Sequence, residues 1–120
     1  MPDKTTTIKT LLDEMTQFLD ERDWHQFHSP KNLTMGLAIE TSELMEHFQW
    51  VTEKESRNLE NDSAQKKMVQ DELADVLSYL LSLAISMNID LSDAFTQKMK
   101  KNRTKYPADQ YRGRYKLKKS

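Results

Sequence analysis

Four acids stand in two pairs of equal spacing, Glu40 with Glu43 and Glu72 with Asp75. On an α-helix, residues three apart lie about 60° apart around the axis, so each pair projects from one face. Their neighbours are apolar: Leu37, Ala38 and Ile39 precede Glu40, while Leu73, Ala74, Val76 and Leu77 surround Glu72 and Asp75. The acids are therefore expected to point toward the core or its edge. Carboxylates brought together repel, by about 4 kcal/mol per pair at a separation of about 4 Å and an effective dielectric of about 20. That is a large share of a small domain's stability. Protonation, lysine or arginine partners, or a divalent cation can each relieve the repulsion, and an all-oxygen donor set suits hard Mg²⁺ or Mn²⁺. Only the cation makes a catalytic centre. In a chain that is 31% charged, one such pair would be an ordinary feature of a solvated helix surface; two pairs set in apolar stretches are more than that. A carboxylate-bridged di-iron bundle is a rival, but it calls for Glu-x-x-His on two helices, whereas His47 follows Glu43 by four residues.

Helices must position these acids. The chain has 120 residues, the size of one domain with one hydrophobic core, and only two glycines and three prolines interrupt it. This composition favours long helices over a turn-rich β fold, so the expected class is all-α. A first helix is predicted from about Thr7 to Arg22, with Ile8, Leu11, Leu12, Met15, Phe18 and Leu19 on one face. After a loop from Asp23 to Lys31, Asn32 is the expected N-cap of a second helix reaching about Trp50 and carrying Leu33, Leu37, Leu44 and Phe48. Thr52 and Glu55 have capping-box spacing, which places a short helix over residues 53–60. Asp62 and Ser63 introduce the longest helix, to about Asn88. Asp90 then caps a fourth main helix that ends at Tyr106-Pro107. The expected outline is a four-helix-type bundle over residues 1–107, followed by an irregular basic tail over residues 108–120. The long helix is apolar around most of its circumference between Val76 and Met87, which predicts a core completed by a homodimer or homotetramer.

Charge is unevenly spread. Residues 1–97 carry 8 Lys/Arg against 18 Asp/Glu, whereas residues 98–120 carry 10 against Asp109 alone. An acidic body argues against a duplex-binding surface, although a basic end can meet nucleic acid, an anionic membrane or a polyphosphate. The absence of cysteine removes disulfides, thiolate metal sites and thiol nucleophiles, and no apolar leader stands at the N-terminus. The expected compartment is the cytoplasm. Val76 to Met87 is well short of the ~20 apolar residues that cross a bilayer, so no membrane partner is expected.

The pairing of Glu40-x-x-Glu43 with Glu72-x-x-Asp75 resembles the signature of the all-α, MazG-like nucleoside triphosphate pyrophosphohydrolases. The run from Arg22 through Asp23, Trp24, His25, Gln26, Phe27, His28, Ser29, Pro30, Lys31 and Asn32 to Leu33 is similar to the dCTP pyrophosphatase branch of that family. So are Phe48-Gln49-Trp50 and the segment from Lys98 to Arg103. The resemblance covers about residues 8–107. It implies metal-assisted attack of water on a nucleoside triphosphate, with dCTP or a related pyrimidine deoxynucleotide as substrate, giving the monophosphate and pyrophosphate and so cleansing the nucleotide pool. It implies that Glu40, Glu43, Glu72 and Asp75 hold Mg²⁺, or Mn²⁺, and that one of them positions or deprotonates the water.

By the same resemblance, Trp24, Phe27, His28 and Trp50 surround the nucleobase, and Lys98 and Asn102 meet the phosphates or sugar. Tyr79, four residues after Asp75 and seven after Glu72, rises from the acids' own helix face and can border the substrate. Trp50 follows Glu43 by seven residues, close to the same face of a continuous helix. Each also has a plain structural role available: Trp24 and Tyr79 as core packing, His28 as a structural histidine, Lys98 as a solvated lysine. Branch members are expected to carry a histidine on the first helix where Met15 stands here, which puts base selectivity in doubt. The alternatives are the same chemistry on dUTP, dATP or a modified triphosphate, or a non-enzymatic helical oligomer binding nucleic acid through its basic tail.

Overall fold

In the computed structural model, residues 1–116 are described. Among them every regular element is helical, as the low glycine and proline content implies. The chain divides into two compact units, Met1–Asn88 and the segment from Ile89 onward, each described separately below.

The first unit opens with α1, Ile8–Arg22, whose N-cap Thr7 accepts a hydrogen bond from the Thr10 amide at 3.1 Å. Asp23 ends it in the left-handed region at φ 52°, where a short polar side chain is better tolerated than a bulky one. A 3-10 turn, His25–Phe27, follows. The second helix, α2, covers Pro30–Glu46, so it begins and ends earlier than predicted. Its N-cap is Ser29, which accepts from the Asn32 amide at 3.2 Å, and Pro30 fills the first position, where its missing N–H costs nothing. Asn32 instead donates from its side chain to the Phe27 carbonyl. Beyond Glu46 the chain passes into turns over residues 47–50, so Trp50 does not continue the helical face of Glu43.

The short helix α3, Glu53–Asn58, is capped by Thr52 as its spacing predicted, and a 3-10 turn, Leu59–Asn61, leads to Asp62. Asp62 accepts from the Ala64 and Gln65 amides and starts α4, Ser63–Met87, which Asn88 closes in the left-handed region. Helix α4 packs along α2 and also against α1. At the α2–α4 contact, Gly36 lies under the ring of Tyr79; a Cβ there would stand 2.8 Å from Tyr79 Cζ. The absence of a side chain at position 36 is what lets the ring lie down on α2.

The core of this unit is small. Leu19 and Leu33 are each 1% exposed, and Leu81 and Ala84 are also buried, whereas Leu73, Leu77, Leu80 and Met87 on α4 and Met35, Ile39 and Met45 on α2 remain exposed. Helix α4 therefore has more apolar surface than this unit covers.

The second unit contains α5, Leu91–Lys105, capped by Asp90 as predicted, and α6, Ala108–Tyr111. The turn of helix over 108–111 corrects the expectation of an irregular tail at those residues. Pro107 precedes it with its fixed φ, and the Tyr106 and Tyr111 rings meet edge to face at 5.2 Å. The rest of the tail prediction, residues 117–120, lies outside the described residues. No single helix among them is long and apolar enough to cross a membrane.

Candidate active site

The second and fourth helices bring the acid pairs together. Glu40, Glu43 and Glu72 each offer a carboxylate oxygen, and these three oxygens lie within 4.8 Å of one another. All three side chains are half-buried, while Asp75 is exposed. Burial pushes the Glu40 carboxyl above its usual value, the Glu43 and Asp75 charges push it further, and a hydrogen bond with Glu43 and the Glu72 charge add to this. Glu40 thus feels all three other acids, Asp75 included. One oxygen of Glu40 and one of Glu72, Oε2 in each case, are enclosed without a hydrogen-bond partner. His47 Nε2 stands 3.8 Å from Glu72 Oε1, which is beyond a direct hydrogen bond.

Enclosed carboxylate oxygens without donors are costly, and a hard divalent cation is the group that satisfies several of them at once. The donor set is all oxygen, half-buried and mutually repelling, so these residues fit Mg²⁺ or Mn²⁺. Among the described residues no lysine or arginine relieves this cluster: their ion pairs are with Asp13, Glu21, Glu53 and Asp71, none of them in it.

Glu40 and Asp75 also line a cleft of about 600 Å³ inside the first unit. Trp24, His28 and Tyr79, each proposed from the sequence, line it as well. The Phe18 and Trp24 rings meet edge to face at 5.6 Å, and the Arg22 guanidinium lies 3.9 Å from the centre of the Phe18 ring. His28 Nδ1 is enclosed and unpartnered, and burial, followed by the charge of His25, lowers the His28 pKa and favours the neutral ring.

Other proposed residues are placed differently. Trp50 is 88% exposed and is absent from the cleft wall, because α2 stops at Glu46. Phe27 is exposed in the 3-10 turn. Lys98 and Asn102 sit on α5 in the second unit; Lys98 is exposed, and Asn102 is half-buried with its Nδ2 4.0 Å from Met99 Sδ.

Leu11, Glu14, Met15 and Phe18 of α1 line the cleft, as do Leu77, Ser78, Leu81 and Ser82 of α4. The sequence pattern places the apolar members of this stripe on one face of α1 without saying what that face meets. The spacing i, i+3, i+4, i+7 is the same for a core face and for a cleft wall, so periodicity could not separate them. The available signal was Glu14, a charge set between Leu11 and Phe18 on that face.

Residues 36–117, which include all four acids, match the model of the MazG-like family. Over 107 residues the chain is 42% identical to dCTP pyrophosphatase 1 of Mus musculus, covering 89% of this chain and 63% of that protein. Over 102 residues it is 45% identical to dCTP pyrophosphatase 1 of Homo sapiens, covering 85% of this chain and 60% of that protein. The chain therefore spans less than two-thirds of the length of these relatives. A solved pyrophosphatase from Archaeoglobus fulgidus is 39% identical, with a TM-score of 0.76 over 89% of this chain and 98% of that one. The paired acids on two packed helices, the all-helical fold and a match across most of the sequence agree: the chain belongs to the MazG-like family.

Proposed function

We propose that the protein hydrolyses a nucleoside triphosphate between the α- and β-phosphates, releasing the monophosphate and pyrophosphate, with dCTP or a related pyrimidine deoxynucleotide as substrate. One observation carries this reading. Glu40 and Asp75 open into the same cleft as Trp24, His28 and Tyr79, so a cation-binding acid cluster and an aromatic, hydrogen-bonding surface face one ligand. A nucleotide has those two parts. The names of the relatives, dCTP pyrophosphatase in two mammals and a pyrophosphatase in an archaeon, support the same chemistry.

In this reading Glu40, Glu43, Glu72 and Asp75 hold Mg²⁺, and Mn²⁺ suits the same oxygens. When bound, the cation neutralises phosphate charge and aligns the reacting groups, which phosphoryl transfer needs more than covalent help. One of the carboxylates positions or deprotonates the attacking water. Trp24 packs against the base, His28 meets its edge, and Tyr79, held over Gly36, borders the sugar or base. Trp50, Lys98 and Asn102 join the site on resemblance alone. The protein is further proposed to be a homodimer or homotetramer, because α2 and α4 leave so many leucine and methionine side chains uncovered.

A panel of the common and modified triphosphates, scored for monophosphate and pyrophosphate with and without Mg²⁺, tests the reading. Hydrolysis of dCTP that needs the cation is the expected result. Orthophosphate as first product would overturn the reaction class, whereas strong preference for a purine triphosphate would overturn only the assigned base.

A further inference from the structure

Helix α1 carries four acids, and their surroundings differ. Asp13 pairs with Lys9 at 2.6 Å, Asp20 with His25 at 2.7 Å, and Glu21 accepts from Gln17 at 3.0 Å. Glu14 has no hydrogen-bond or ion-pair partner of this kind among the described residues, and it lines the cleft. It sits there between Leu11, Met15 and Phe18, on a wall that is otherwise apolar. Its carboxylate is exposed, so in the free protein water solvates it, and a ligand that fills the cleft must supply a donor in water's place.

The serines that line the cleft supply no such donor. Ser78 Oγ donates to the Ala74 carbonyl at 2.9 Å and Ser82 Oγ to the Ser78 carbonyl at 2.8 Å. Both hydroxyl protons are thus committed to the backbone of α4, leaving their oxygens as acceptors. Three carboxylates line the cleft, Glu14, Glu40 and Asp75, and the last two belong to the cation site. Glu14 is left for the ligand.

We infer that Glu14 is a specificity-determining residue that accepts a hydrogen bond from an exocyclic amino group of the base, selecting an amino-bearing base over its keto counterpart. The inference rests on the nucleotide reading of the cleft. An ionised carboxylate can only accept, so it attracts the 4-amino group of cytosine and opposes the 4-carbonyl oxygen of uracil, two rings of nearly the same size. Trp24 cannot make that distinction, because stacking is tolerant of base identity. His28, held neutral, offers one donor and one acceptor and so accommodates either edge.

The test compares kcat/KM for dCTP and dUTP at saturating Mg²⁺ in the full chain, in Glu14→Gln and in Glu14→Leu. Inorganic tripolyphosphate, which has no base, serves as a competitive probe. The wild type is expected to favour dCTP, and both variants to narrow the dCTP/dUTP ratio by roughly tenfold, mainly through KM for dCTP, the size of one charge-assisted hydrogen bond in a partly open site. Inhibition by tripolyphosphate should stay within about twofold of wild type, since the phosphate end is untouched. A ratio unchanged in both variants would overturn the assignment. So would a shift in tripolyphosphate inhibition as large as the shift for dCTP, which would mark Glu14 as a general repulsive charge. If the wild type hydrolyses neither nucleotide, the nucleotide reading itself falls, a result distinct from an active enzyme with an indifferent Glu14.

Discussion

Glu40 carries the electrostatic tension of the site. It is flanked by Glu43, Glu72 and Asp75, and its raised pKa means that the folded chain binds a proton there more tightly than the unfolded chain does. Stability contributed through this group is therefore present at low pH and is lost as pH climbs from its ordinary value of 4.5 through the raised one. In the presence of a chelator, Glu40→Gln should melt higher than wild type at pH 7, and the difference should shrink toward pH 4, as thermal melts across that range will show. Saturating Mg²⁺ should reverse the order at pH 7, because only the wild type keeps the full donor set. Equal melting curves at every pH would remove the repulsion from the account. Glu43→Gln and Glu72→Gln should each abolish turnover while leaving the helical circular dichroism intact. Near-wild-type activity in both at saturating Mg²⁺ would mean the site lies elsewhere.

The packing of α2 on α4 gathers Glu40, Glu43 and Glu72, with the Asp75 charge acting on Glu40, and Gly36 makes room for the Tyr79 ring on α2. Gly36→Ala gains about 1 kcal/mol of helix propensity but drives a methyl group into the tyrosine ring, an overpacking worth about 1 to 3 kcal/mol. The expected outcome is a net loss of about 1 kcal/mol in denaturant unfolding together with a raised KM, as Tyr79 leaves its place in the cleft wall. An unchanged KM would show that Tyr79 has only a packing role. Much of this geometry was legible in the chain. The spacing of Glu40, Glu43, Glu72 and Asp75, the caps at Thr52, Asp62 and Asp90, and the breaks at Asn88 and Tyr106-Pro107 are local signals that single residues carry. The end of α2 was not legible, since Leu44, Met45 and Phe48 continue a helical pattern while the backbone turns away after Glu46. With it went the sequence argument for Trp50. The start of α2 was misplaced because Asn32 is as good a cap by type as Ser29, and Pro30 at the first position was the deciding cue. Glu14 was hidden for another reason, because a cleft wall and a core face have the same helical period.

At the scale of the whole molecule, fully buried hydrophobic side chains are few, and α4 keeps Leu73, Leu77, Leu80 and Met87 exposed. The proposal of a homodimer or homotetramer rests on this apolar surface. Light scattering at micromolar concentration should report a dimer or tetramer, and a well-folded monomer with no concentration dependence would contradict this. The central claim, however, concerns the reaction. It is tested most directly by ³¹P NMR of the products formed from dCTP and Mg²⁺ in ¹⁸O-enriched water. The account predicts dCMP and pyrophosphate in equal amounts, with the isotope-shifted signal on the monophosphate alone. Release of orthophosphate with dCDP, or label appearing in the pyrophosphate, would contradict it.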